Sequence, residues 1–280
     1  MLRCLLASAF ATAVWTEAPP AEPDYTKVAK VGRLFSYQLH SALFFPRAAQ
    51  VKWDVSVEGR PWLPAWLSFT KSPFSQIAYL YGTPDFQDDD TTILIMARAL
   101  DTYEIVRKRL RIQIKADRKQ LFILFLTLTQ HVSVSVLKMP ASERLSVPNV
   151  ELVQLWIRNH DIWEFLTKPD LLAQLEETIR KVFRGKGVRP YIQHMRPGTE
   201  IGGRVDVHGE KAGVGIFVGT RKGFGAGVRN LARGLAVNAD QCHRSDLIPL
   251  HRKFAEAHLD VDWCKFKLVG PFSLPQLASL

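Results

Sequence analysis

Apolar and polar positions alternate through much of the first half of the chain. Phe35, Tyr37 and Leu39 are separated by Ser36 and Gln38, and Val51, Trp53, Val55 and Val57 by Lys52, Asp54 and Ser56. A period of two is the mark of a half-buried strand. Two more such runs follow, Thr91–Leu100 and Ile105–Ile114, and in the second Val106, Lys108, Leu110, Ile112 and Ile114 share one face. Between these strands lies a stretch of different character, Gly59–Pro84, GRPWLPAWLSFTKSPFSQIAYLYGTP. Pro61 and Pro64 lack a backbone donor and do not belong in a central strand. Trp62, Leu63, Trp66, Leu67 and Phe69 are too apolar for a solvated loop. The stretch therefore reads as a buried corner with a strand Trp66–Thr70, a turn at Lys71–Pro73, and an apolar run Ile77–Tyr81 closed by Gly82-Thr83-Pro84. About seven strands at roughly ten-residue spacing between residues 27 and 116 predict a β-sandwich of Ig or cadherin size.

The second half has another rhythm. Ala116–Lys119 is polar and marks a domain boundary. Gln120–Leu137 is apolar, but Thr127, Thr129, Gln130, His131, Ser133 and Ser135 interrupt it, so a long strand is preferred to a membrane span. Val147–Leu166 reads as a helix, with Pro148 in its first turn and Val150, Val153, Leu155, Trp156, Ile162, Trp163 and Phe165 as a broad stripe. A second helix opens at Pro169-Asp170, carries Leu171, Leu172, Leu175, Ile179, Val182 and Phe183 at three- and four-residue steps, and stops before Gly185. Strands are expected at Val188–Met195 and Gly213–Val218. The fold class is thus mainly β with an α+β second part. An N-terminal cadherin/Ig-like β-sandwich (27–116) precedes a small α+β domain (118–270), whose helices cover one face of its sheet. Residues 1–20 read as a signal peptide, with Arg3 before an apolar Leu5–Val14. Residues 271–280 are a tail.

The net charge of +10 adds a question. Basic residues cluster at Arg107, Lys108, Arg109 and Arg111, at Arg180-Lys181 and at Arg221-Lys222. The first cluster is a candidate contact for a polyanion such as a sulfated glycan, or else a solvated strand face; no nucleic-acid partner is expected. Of three cysteines, Cys4 lies in the leader, which leaves Cys242 and Cys264 as an even pair. With a secretory leader they suit a disulfide. A zinc site with His243, His251 or His258 is the other reading, but no Cys-x₂₋₄-Cys is present. Gly213-x-Gly215 and Gly223-x-Gly225-x-Gly227 have the wrong spacing and context for a phosphate loop, and read as turn glycines. The acidic run Asp85, Asp88, Asp89, Asp90 reads as a solvated turn rather than a calcium site. No catalytic residue, metal or cofactor is expected, and the chain does not read as an enzyme.

Certain motifs carry a family resemblance. Pro64, Trp66, Leu67 and Phe69, then Gly82 and Pro84, then Ile93 and Ala97, then Leu110, Ile112 and Ile114 resemble the dystroglycan-type cadherin-like module. The fuller run from Trp66-Leu67 through Tyr79–Pro84 is similar to alpha- and epsilon-sarcoglycan. So is the far end: Gly202-Gly203-Arg204-Val205, Lys211-x-Gly213-Val214-x-Ile216-x-Val218-Gly219, and Val261-Asp262-Trp263-Cys264. The resemblance runs in order over roughly 27–270. It implies a non-enzymatic subunit of a sarcoglycan complex within a dystrophin-associated glycoprotein assembly, on the extracellular side of the plasma membrane (the sarcolemma). That assembly links surface and matrix to the cytoskeleton. The implied partners are other sarcoglycans and, more distantly, dystroglycan. Pro64, Trp66, Leu67, Phe69, Gly82, Pro84 and Trp263 would be its structural core, not binding residues. The chain departs from the family in three ways. His251 stands where the family has a cysteine, no Asn-x-Ser/Thr occurs, and no membrane span is legible after Cys264. A secreted adhesion or glycan-binding module is the alternative.

Overall fold

The computed structural model describes residues 24–47, 49–85, 87–116, 151–185, 188–202, 211–220 and 222–270. The leader, the long strand expected at Gln120–Leu137 and the tail lie outside these residues.

The first part is a sandwich of two sheets. Strands β1 (Tyr25–Lys30), β7 (Ile105–Lys115), β6 (Thr91–Ala99) and β3 (Val51–Val57) form one sheet in that order. β2 (Phe35–His40), β5 (Ile77–Gly82) and β4 (Leu67–Lys71) form the other. Pairing is antiparallel except β1 with β7, which run parallel. The chain switches sheets between β1 and β2, β2 and β3, β3 and β4, and β5 and β6, while β4–β5 and β6–β7 are neighbours within one sheet, an Ig-type arrangement. The alternation along each strand explains what holds them: Val51, Trp53, Ile93, Ile95, Ala97, Leu110 and Ile112 point inward and are buried against Phe35, Leu39, Leu67, Ala78 and Leu80 of the facing sheet. Edge-on aromatic contacts, Phe44 on Trp53 at 5.2 Å and Phe35 on Trp66 at 6.2 Å between ring centres, close the two ends.

The proline-rich corner works through its backbone. The Leu67 amide donates to the Pro64 carbonyl, the Gly32 amide to the Pro84 carbonyl, and Trp66, Leu67 and Pro84 are buried. Gly82 pairs with both Phe35 and Leu67, and a Cβ there would run into the Trp66 carbonyl oxygen. Its φ of 157° is also unfavourable for a side chain. One expectation fails here. Trp62 is not part of a buried corner: it is 64% exposed. The turn is tied down by backbone contacts, with the Val57 amide donating to the Trp62 carbonyl, so the ring is free to project outward.

The second part is a four-stranded antiparallel sheet in the order β11 (Lys267–Val269), β8 (Glu151–Ile157), β10 (Val214–Thr220), β9 (Tyr191–Pro197). Helices α1 (Ile162–Thr167), α2 (Pro169–Val182), α3 (Ala226–Val237), α4 (Ala239–His243) and α5 (His251–Glu256) accompany it. Val153, Leu155 and Ile157 of β8, and Val214, Ile216 and Val218 of β10, share one core with Phe165, Leu175, Ile179 and Phe254. This corrects the helix expected over Val147–Leu166. Its first half, within the described residues, is strand β8; only Ile162–Thr167 is helical. Leu152 and Trp156, on the opposite face of β8, are also buried. A strand buried on both faces has no alternation, and its continuous apolar run imitates a broad helical stripe.

Candidate interaction surfaces

The two sheets of the sandwich present their outer faces to different surroundings. On β5, Tyr79 and Tyr81 point away from the sandwich core and enter the core of the second part, each 2% exposed. Ile77 and Leu34 pack beside them. Two hydrogen bonds seal this joint: Tyr79 Oη with Thr167 Oγ1 at 2.7 Å, and Thr83 Oγ1 donating to the Ile192 carbonyl at 2.7 Å. Burial, with the Glu200 carboxylate nearby, holds the Tyr81 phenol well above its ordinary range. The joint was not anticipated from the sequence. Its signal was present in Ile77–Tyr81, which is apolar on both faces of a strand in an otherwise alternating sandwich.

Among the described residues nothing packs over the outer face of the first sheet. Asp54, Met96 and Arg107 lie in one cross-strand row, and Ser56, Leu94 and Arg109 in the next. With Asp24 and Glu58 they line a shallow depression of about 470 Å³. The basic cluster divides here. Arg107, Arg109 and Arg111 share this outer face. Lys108 points to the other side, where its ammonium donates to Tyr25 Oη at 2.9 Å and sits over the Tyr25 and Phe44 rings. Arg109 pairs with Glu58 at 2.9 Å and Arg111 lies 3.7 Å from Asp90. Acidic residues therefore interleave with the basic column.

The remaining sequence candidates are structural in their contacts. Asp88 Oδ2 accepts the Asp85 amide, and Asp90 Oδ1 accepts the Ile114 amide, so two carboxylates of the acidic run tie the loop after Pro84 to itself and to β7. Val261-Asp-Trp-Cys264 clamps onto β8: Val261 bridges Ile157, the Asp262 amide donates to the Trp156 carbonyl at 2.8 Å, and Asp262 Oδ1 accepts the Cys264 amide. Trp263, 2% exposed, packs on Phe254 and Phe266 and donates Nε1–H to His251 Nδ1 at 3.2 Å. His251 thus serves as a half-buried acceptor for the tryptophan. Cys242 and Cys264 are joined as a disulfide with Cα atoms 4.8 Å apart, which ties α4 to this motif. His243 lies 3.8 Å from the Cys264 sulfur. His258 is exposed, at φ 52° in a turn.

Lys211-x-Gly213 is held from the other side. Lys211 Nζ donates to buried Glu164 Oε2 at 2.7 Å, and the Gly213 amide to Asp161 Oδ1. Burial raises the Glu164 pKa, but the bonds from Lys211 and the Asp161 amide, with the Lys211 and His160 charges, outweigh it and hold the carboxyl below its ordinary value. Gly213 takes φ 78°, and a Cβ would press on the Trp156 indole and the Ile157 carbonyl.

These motifs can now be set beside known proteins. Residues 26–116 match the family model described as the sarcoglycan alpha/epsilon N-terminal domain. Over those residues the sandwich is similar to the alpha/epsilon sarcoglycan N-terminal domain. Solved structures that resemble the chain include the titin M3 domain (11% identity, 32% of this chain and 88% of that one, TM-score 0.26) and titin domain M7 (9%, 34% and 90%, 0.25). The tandem Ig repeats of Dlar give 15% identity over 34% and 46%, at 0.24. At such scores the likeness carries no argument, and the sandwich architecture rests on its own strand order. No described helix is long and apolar enough to cross a membrane.

Proposed function

We propose that the chain is a non-enzymatic, sarcoglycan-like subunit of the dystrophin-associated glycoprotein complex, acting at the extracellular side of the plasma membrane. Residues 27–116 and 118–270 would be its two domains, and other sarcoglycans its partners. The family match over 26–116 carries the reading. The family-like motifs of the second half support it: Val261–Cys264 and Lys211–Gly213 are packing devices, and their sheet joins the sandwich through Tyr79 and Thr83. In this reading the chain serves as a rigid body that offers surface to neighbours, and no chemistry is assigned to it. Co-expression with beta-, gamma- and delta-sarcoglycan chains, followed by detergent extraction and affinity purification, tests the proposal. Co-purification in a defined ratio is expected, and its failure under conditions that keep the other chains together contradicts it.

A second reading, polyanion binding, is favoured by the column Arg107, Arg109, Arg111 on one open face. It predicts salt-sensitive retention on heparin that falls when all three are replaced by Ser. The paired Glu58 and Asp90 weigh against it.

A further inference from the structure

The open face of the first sheet has an internal order that its strand register makes plain. Across β3, β6 and β7 the outward positions form rows: Lys52, Arg98, Ile105; Asp54, Met96, Arg107; Ser56, Leu94, Arg109. Beyond β3, the Glu58 amide bonds to the Thr92 carbonyl, which places Glu58 in the row of Thr92 and Arg111. Read down the columns, β3 carries Asp54 and Glu58, β7 carries Arg107, Arg109 and Arg111, and between them β6 carries the half-exposed Leu94 and Met96. The face is an apolar stripe with an acidic rail on one side and, on the other, a basic rail edged by Asp24 and Asp90. Asp54 and Arg107 are exposed, and no ion pair joins either of them to a described residue. Their strands are two places apart, about 10 Å.

We propose that this face is self-complementary and pairs two copies of the chain about a two-fold axis parallel to the strands. Such an axis through β6 exchanges left and right while preserving height. It sets Asp54 of each copy against Arg107 of the other, Glu58 against Arg111, Ser56 against Arg109, and Leu94 and Met96 against themselves. That is an isologous contact with an apolar centre and opposite charges on both flanks. An axis across the strands would instead lay acidic rail on acidic rail. Among the charged residues of these rows Arg98 meets its own equivalent, at the rim, where both side chains reach water. The other sheet offers no such surface, because Tyr79 and Tyr81 are already covered. The inference rests on the strand register and does not depend on the proposed function. The contact uses three of the sheet's four strands and is small, so the pairing is weak and concentration-dependent, with a dissociation constant in the range of about 1–100 μM.

Sedimentation equilibrium of the full chain tests it. The native chain is expected to pass from monomer to dimer over that range and to weaken as salt rises. Asp54→Arg and Arg107→Asp, each alone, set like charges opposite one another twice per dimer and weaken association by roughly a hundredfold. An equimolar mixture of the two variants restores pairing, because each supplies the charge the other lacks, and so does the double variant D54R/R107D. Unchanged circular dichroism and melting temperature confirm that these exposed substitutions leave the fold intact. A native chain that stays monomeric throughout, because the face binds another protein or nothing, overturns the proposal. So does a mixture that behaves no differently from its components.

Discussion

The two sheets of the sandwich are built alike on the inside and differ on the outside. β5 and β6 both alternate buried apolar residues toward the shared core. Outward, β5 presents Tyr79 and Tyr81, which the second part of the molecule buries, whereas β6 presents Leu94 and Met96, which it does not. Among the described residues one sheet is therefore a joint and the other an uncovered surface. The chemistry matches: the joint is aromatic with two sealing hydrogen bonds, and the free face is an apolar stripe between charged rails. The difference teaches that a strand's inner face reports its fold, and its outer face reports its neighbours.

That contrast can be attacked at several strengths. The heaviest blow falls on the closed sheet. Gly82→Val drives a side chain into the Trp66 carbonyl from an unfavourable φ, and is expected to cost about 4 kcal/mol or to abolish folding, read by urea unfolding. Next comes the body against which the closed sheet packs. Trp263→Ala empties the centre of the Phe254–Phe266 cluster and leaves His251 without its donor, an expected loss of about 4 kcal/mol.

Acid distinguishes the two parts more gently. His194, on β9 beside Phe217, is held neutral with its pKa pushed down to about 4, first by burial and then by the Arg196 charge. The unfolded chain takes up a proton near pH 6.5 that the folded one refuses until about pH 4. Stability is therefore lost as pH falls from about 6.5 toward 4, by at most about 3 kcal/mol, and His194→Gln should flatten that slope. Glu164 acts in the same direction but lower down. Its contribution is complete above the ordinary carboxylate value and is lost as pH falls through its depressed one. The smallest change is Tyr79→Phe, which removes the hydrogen bond to Thr167 and keeps the ring. It should cost about 1 kcal/mol, and nothing further once Thr167 is already Val.

Much of the sandwich was legible because its strands alternate. The face shared by Val106, Leu110 and Ile112, the inward Trp53 and the closing Gly82 follow from period and turn chemistry. What failed did so where a strand is buried on both sides. β8 passed for a helix because Glu151–Ile157 lacks the polar half of the alternation. The helices Ala226–Val237 and His251–Glu256 were overlooked, since Gly223, Gly225 and Gly227 read only as turns and the stretch carries charged residues through its length. Trp62 went wrong in the opposite sense, because hydrophobicity says nothing about which way a turn points its ring. The joint at Tyr79 and Tyr81 depends on two segments far apart in the chain, and no local pattern names the second one.

One paired measurement bears most directly on the distinction between joint and free face. Tyr81→Arg and Met96→Arg place the same charge on the outer faces of the two sheets, and each is unfolded in urea at a protein concentration low enough to keep the chain monomeric. Tyr81→Arg is expected to cost about 4 kcal/mol, because the guanidinium must enter a packed core, and Met96→Arg less than about 1 kcal/mol. Equal costs at the two positions would contradict the account.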